Sequence, residues 1–459
     1  MRYWPTILML VILAGLGGYL YVVEFPATQR EITQETKQTH LLQFPENAIT
    51  GLAITTAQGP VQFTRADSGK WAITAPLQTE ADTREVQALI RALVTGRVSR
   101  AVAERSAGLA PFGLEQPVTT VTVTAGAQQD TLAIGDSGPL SNTLYVLRGS
   151  DGKVLLTDLA PKDFVNKSLL MFRRKDLFRF AQNDVERVRL TYPPTEIVIY
   201  NVGKGAPKPS WKIRYPIEAE ADQTEVRSLM FRLEDLKALS IIDPGPERDA
   251  VAKTLATPKL KITVHTAEGD QTIQLYQPNP QSGEAIAETT PDAPLYRVSP
   301  TAIKDLTKDL FTLQDKRLLG VDYADIAMLS VRTRDHQYVL INQSGEWVLE
   351  DQPTNKLSQE KADLFVSRVA NIPAEERVLK QSSPLAPYGL LAPAAEFVAT
   401  GKDGKVAGRL TLGNRIGNLI YATGNRLQGV FQARPDLLTQ VPSKTALLAG
   451  APDQADFEQ

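Results

Sequence analysis

EADTREVQALIRAL at positions 80–93 returns as EADQTEVRSLMFRL at 220–233. In the two phrases apolar residues fall at Val86, Leu89, Ile90 and Leu93, and at Val226, Leu229, Met230 and Leu233. That i, i+3, i+4, i+7 interval draws one stripe of an amphipathic helix. Asp82 precedes Glu85, and Asp222 precedes Glu225, at the N-cap and N3 spacing of a capping box, so these acids read as structural. A third version, SQEKADLFVSRVANI at 358–372, puts Ala362, Phe365, Val366 and Val369 at the same offsets from Ser358. Lys361 replaces its N3 acid, which leaves half a box.

A strand-like tryptophan phrase precedes each helix: KWAITAPL around Trp71, SWKIRYPI around Trp211 and EWVLEDQP around Trp347. The tryptophans lie 140 and 136 residues apart. LAPFGLEQP at 109–117 returns as LAPYGLLAP at 385–393, an offset of 276 that also separates Trp71 from Trp347. Between these landmarks run short alternating segments such as TTVTVTAG, KLKITVHT and GRLTLGN, with Gly, Asp or Asn at the joins. Period two with β-branched residues reads as antiparallel strands and hairpins. The expected fold class is α+β: an N-terminal transmembrane helix, then three tandem repeats of mainly antiparallel strands with one or two amphipathic helices each. The boundaries are 1–25 for the anchor, 26–42 for a linker, 43–180, 181–321 and 322–450 for the repeats, and 451–459 for a disordered tail. A repeat of this length can own a core, unlike repeats of roughly 20–50 residues that must stack.

The N-terminus is of a different material. Positions 5–23 form an uncharged run of 19 residues, close to the roughly 20 that cross a bilayer as a helix. Tyr3 and Trp4 lie at one end, with Tyr19, Tyr21 and Phe25 toward the other, where aromatic rings favour the headgroup layer. The run outlasts a signal-peptide core and ends without a small-x-small site, so it reads as a retained anchor. Arg2 precedes it and Glu24, Glu31 and Glu35 follow, which orients the N-terminus to the cytoplasm and the bulk of the chain outside it. Ala14 and Gly18 make a small-xxx-small pair suited to packing a neighbouring membrane helix.

The 459 residues carry a formal net charge of −2, which supplies no overall positive field for nucleic acid. With no cysteine, the chain makes no disulfide, thiolate metal site or cysteine nucleophile. The three histidines, His40, His265 and His336, are scattered, which argues against a histidine metal site or triad. Nucleotide-binding and serine-hydrolase motifs are not evident, and the recurrent carboxylates already have a part as helix caps. The expectation is a non-enzyme with no catalytic, cofactor-binding or metal residues and no cofactor. FRRKDLFRF at 172–180 interleaves basic and aromatic residues, and Arg173, Arg174 and Lys175 offer a contact for a partner or an anionic polymer. Its counterpart LQDKRLLGV at 313–321 favours a domain-end segment whose apolar residues pack. Trp71, Trp211 and Trp347 read as core anchors.

Taken together, the N-terminal span, GKWAITAP, ADTREVQALIRAL, LAPFGLEQP, TLAIGD and DKRLLG resemble a bacterial domain-of-unknown-function family, number 4340. The resemblance implies a membrane-anchored envelope protein associated with an ABC exporter and a gliding-motility-type auxiliary protein, and it carries no catalytic residues. The second copy departs most, lacking the LAP[FY]GL phrase. The expected function is that of a single-pass accessory or scaffold protein of the bacterial inner membrane. Its bulk is periplasmic, and its partners are ABC transporter membrane subunits or an auxiliary protein. The alternative is a binding module for peptidoglycan or another envelope polysaccharide.

Overall fold

A computed structural model describes residues 40–450 except 106–107, 118, 160–167, 204–209, 280, 282 and 382–383. The expected anchor, with Ala14 and Gly18, and the expected tail lie outside the described residues. Among the described residues no helix is long and apolar enough to cross a membrane.

The architecture is α+β, with three antiparallel sheets. In the first, β1 (Gly51–Thr56), β2 (Gly59–Arg65), β3 (Trp71–Ala75) and β4 (Thr79–Glu80) form a meander. Helix α1 (Thr83–Thr95) then carries the chain to the far edge, where β5 (Val98–Glu104) lies. The strands β6 (Thr119–Ala125), β7 (Gln128–Ser137), β8 (Leu144–Arg148) and β9 (Lys153–Thr157) fill the interval, giving the order 4-3-2-1-6-7-8-9-5. Val86, Leu89, Ile90 and Leu93 are all buried, and the core that includes them takes in Leu52, Ile54, Trp71, Ile73, Val121, Val123 and Phe172. Leu41 and Leu42, at the end of the expected linker, belong to this core as well.

The chain divides into two compact units. One runs to Leu177 and includes Lys237–Arg248 and Pro294–Val298; the other comprises Phe178–Leu236, Asp249–Ala293 and the chain from Ser299. Within the second unit, strands of the second sheet follow the first sheet's order: Ala219–Glu220, Trp211–Tyr215, Thr195–Asn201, Val185–Tyr192, Leu260–Thr266, Gly269–Tyr276 and Ala285–Glu288. The pairing of β9 with β5 has its counterpart, inside the first unit, in Leu295–Val298 with Ser240–Ile242. The third sheet has eight strands, lacks the short first edge and repeats the rest of the order from Glu346–Leu349 to Glu376–Leu379. Helix α2 (Gln223–Glu234) buries Val226, Leu229, Met230 and Leu233; helix α3 (Gln359–Asn371) buries Ala362, Phe365, Val366, Val369 and Ala370.

The capping boxes form by halves. Asp82 accepts from the amides of Arg84 and Glu85, and Asp222 from those of Thr224 and Glu225. The reciprocal half, in which the N3 acid binds the cap's own amide, is replaced. The Asp82 amide donates to the Phe172 carbonyl at 2.7 Å and the Asp222 amide to that of Leu313 at 2.8 Å. Ser358 makes no side-chain cap bond, and its amide donates to the Leu447 carbonyl at 2.8 Å. In every copy, then, the last segment of the repeat returns to close on the helix start.

The recurrent LAP[FY]GL phrase has a steric cause. Its short 3-10 turn ends on Gly113 or Gly389 in the left-handed region, φ 67° and 69°. Gly135 in β7 and Gly413 in Val406–Ile416 lie under that turn, and a Cβ there would stand 2.2 Å from the Phe112 carbonyl oxygen and 2.1 Å from that of Tyr388. TLAIGD and LTLGN are therefore the seats of the LAP[FY]GL loops.

Candidate functional site

The three tryptophans are 3%, 4% and 0% exposed, which makes them core residues. Each is held at its backbone by the first residue of the following helix. The Trp211 amide donates to Gln223 Oε1 at 2.9 Å, and Gln223 Nε2 donates back to the Trp211 carbonyl at 2.9 Å. Gln359 repeats this bracket on Trp347 at 2.7 and 3.0 Å, while Thr83 Oγ1 accepts from the Trp71 amide at 3.4 Å. The signal for this clasp was a polar residue placed 12 positions after each tryptophan. Trp347 also donates from Nε1 to Asp363 at 3.0 Å.

The basic segment is engaged inside its own unit. Arg173, with a side chain only 7% exposed, makes a bidentate pair with Asp243 at 2.7 and 2.8 Å. Arg174 pairs with Glu80 at 3.1 Å, and Lys175 Nζ donates to the Met171 carbonyl at 3.4 Å. The backbone of the same segment lines up with the repeat: the Arg174 amide donates to the Glu80 carbonyl, as the Asp315 amide does to Glu220.

At the corresponding place in the second unit lies a cleft of about 630 Å³, whose charged lining includes Lys212, Glu220, Asp315, Arg317, Asp322 and Arg426. Arg317 grips the Asp315 carboxylate with Nε and Nη2, at 3.0 and 2.7 Å, and reaches Asp322 at 2.5 Å. Arg426 donates to the same Asp315 oxygen that Arg317 Nη2 holds, and Lys212 pairs with Glu220 at 2.7 Å. Burial by itself would raise the Asp315 carboxyl. The hydrogen bonds from Arg317 and the charges of Arg317 and Arg426 outweigh burial and hold it below the ordinary carboxylate range. The Arg317 guanidinium is raised in turn, chiefly by its hydrogen bonds to Asp315. Asp315 stays ionised at neutral pH and is poorly suited to giving or taking a proton there. The cleft's cations all face carboxylates, an arrangement that fastens chain segments together.

The histidines are apart. His40 forms an antiparallel bridge with Arg97, and its carbonyl accepts from Arg148 at 3.3 Å. His265 Nδ1 lies 2.5 Å from Asp270 across a strand pair, with Glu186 3.9 Å from Nε2. His336 sits in a turn of the third sheet. Among the described residues no three His, Asp or Glu side chains are grouped to hold a metal ion. Tyr276 is pushed up to about 12 by burial and the nearby Glu288, and burial raises Tyr338 as well.

A family model, Domain of unknown function (DUF4340), matches the chain twice, over residues 71–256 and 211–393. No curated protein matches the chain. Both matched regions begin on a tryptophan of the repeat, Trp71 and Trp211, and they overlap over the second copy's strand and helix. Together they span more than half of the sequence, and the chain belongs to the DUF4340 family.

Proposed function

We propose that this protein is a non-enzymatic, single-pass accessory or scaffold protein of a bacterial envelope ABC-type transport system. On this reading it is anchored in the inner membrane by residues 1–25 and acts outside the cytoplasm through protein–protein contacts of its three repeats. One observation carries the reading. The charged and aromatic landmarks of the sequence, Trp71, Trp211, Trp347, Asp82, Asp222 and the Arg173–Arg174 pair, are taken up by the packing and capping of the repeats themselves. On this reading the partner contacts lie on the surface of the repeats. The apolar N-terminal run and the resemblance to an exporter-associated envelope family support the location and the kind of partner.

The test is mild detergent extraction of the native protein, crosslinking and mass spectrometry of what copurifies. Stoichiometric transporter subunits are expected. Recovery alone, or only with wall fragments, would overturn the proposal in favour of polymer binding.

A further inference from the structure

Tandem copies sort features into two kinds: what every copy carries is explained by the fold, and what one copy carries alone asks for another reason. The third sheet has a cavity of about 470 Å³ whose set of charged side chains is not repeated at the corresponding positions among the described residues of the other two. Arg334, Asp335 and His336 line it from the turn between Ile326–Thr333 and Gln337–Gln343, and Asn414 and Arg415 from Val406–Ile416. Gly413 and Gly135 occupy the same seat beneath the LAP[FY]GL loop, which fixes the correspondence. By that register Arg415 corresponds in position to Ser137 of the first copy, and the first copy's shorter turn holds Ala57 and Gln58 where the third has Arg334, Asp335 and His336. The same turn of the second sheet is Pro193-Pro194.

Arg334 and Arg415 are exposed, and among the described residues neither guanidinium has an ion-pair or hydrogen-bond partner. This is the opposite of the Asp315 cleft, where cations are neutralised by carboxylates. Asp335 leaves a formal surplus of one positive charge in the cavity and adds an acceptor for a ligand's own donors. A free guanidinium presents a fork of donors that matches an oxyanion. The volume falls in the range of roughly 300–1,000 Å³ typical of small-molecule sites.

We propose that this cavity binds a hydroxylated organic anion, its phosphate or carboxylate held by Arg334 and Arg415 and its hydroxyls directed to Asp335 and Asn414. The site is independent of the scaffold reading.

The test is isothermal titration of the full-length chain in detergent with glycerol 3-phosphate and with glucuronate, using glycerol and glucose as neutral controls. Saturable binding of at least one anion is expected, without binding of the neutral controls. A preference for the first identifies a phosphate ligand and for the second a carboxylate ligand. The Arg334→Ala/Arg415→Ala variant should bind at least tenfold more weakly while melting as the wild type does, and Arg415→Lys should fall between. Absence of binding by both anions, equal binding of glucose, or undiminished affinity in the double variant would overturn the proposal.

Discussion

Asp315 is the residue on which the second unit's charge network turns. Removing one partner of a fully buried ion pair costs about 3–5 kcal/mol. Arg317 and Arg426 are 29% and 25% exposed, so water screens part of that, and Asp315→Ala is expected to cost about 2 kcal/mol in denaturant unfolding. Because folding lowers the Asp315 carboxyl, its stabilisation is complete above the unfolded value of about 3.9 and fades as pH falls through the lower folded value. The stability gap between wild type and Asp315→Asn should therefore be constant from neutral pH to about 5 and close on further acidification. A gap that widens in acid would refute this assignment. None of it was legible in sequence: Arg426 lies 111 residues from Asp315, and only the fold brings them together. Trp71, Trp211 and Trp347 were legible, because a bulky aromatic recurring in one register has few explanations besides a core.

The elements show where periodicity informs and where it fails. The three helices were readable because one face of each is uniformly apolar. The strands Val98–Glu104, Ser240–Ile242 and Glu376–Leu379, which end the sheet order, were missed: the first is mostly exposed and the others are only three and four residues long. Such segments owe their conformation to a neighbour and not to alternation. The caps provide a test across copies. Asp82→Ala and Asp222→Ala should each cost about 1 kcal/mol, the usual loss of a side-chain cap, whereas Ser358→Ala should cost close to nothing. Equal losses at the three sites, measured by thermal or denaturant unfolding, would contradict the cap geometry. The Gly413 seat is more demanding. Gly413→Ala drives a methyl into the Tyr388 carbonyl and should destabilise by about 1–3 kcal/mol, while Gly417→Ala has open space around its Cβ and meets only the strain of its φ of 58°.

For the molecule as a whole, the sequence repeat and the compact units do not share their limits. Leu318 and Leu319 come before the short 3-10 turn at Tyr323–Asp325 that leads into the third sheet, yet they are fully buried in that sheet's core. The Leu318 amide donates to the Ile372 carbonyl, just after α3. Leu318→Ala should therefore cost about 2–5 kcal/mol and lower hydrogen-exchange protection across Ile326–Thr333 and Ala395–Gly401. Loss of protection limited to Val185–Tyr192 and its neighbours would place Leu318 with the preceding core instead. The return of each repeat's last segment to its helix start also bears on how the chain is made. The partner of Asp82 is Phe172, that of Asp222 is Leu313 and that of Ser358 is Leu447, so each closing contact spans about 90 residues. A helix leaving the ribosome meets its sealing segment only after that stretch has been synthesised, and so distant a contact carries a large loop-closure entropy. Folding during synthesis should advance in three steps, one at the emergence of each sealing segment, and arrest-peptide force profiles would register them as three separate peaks.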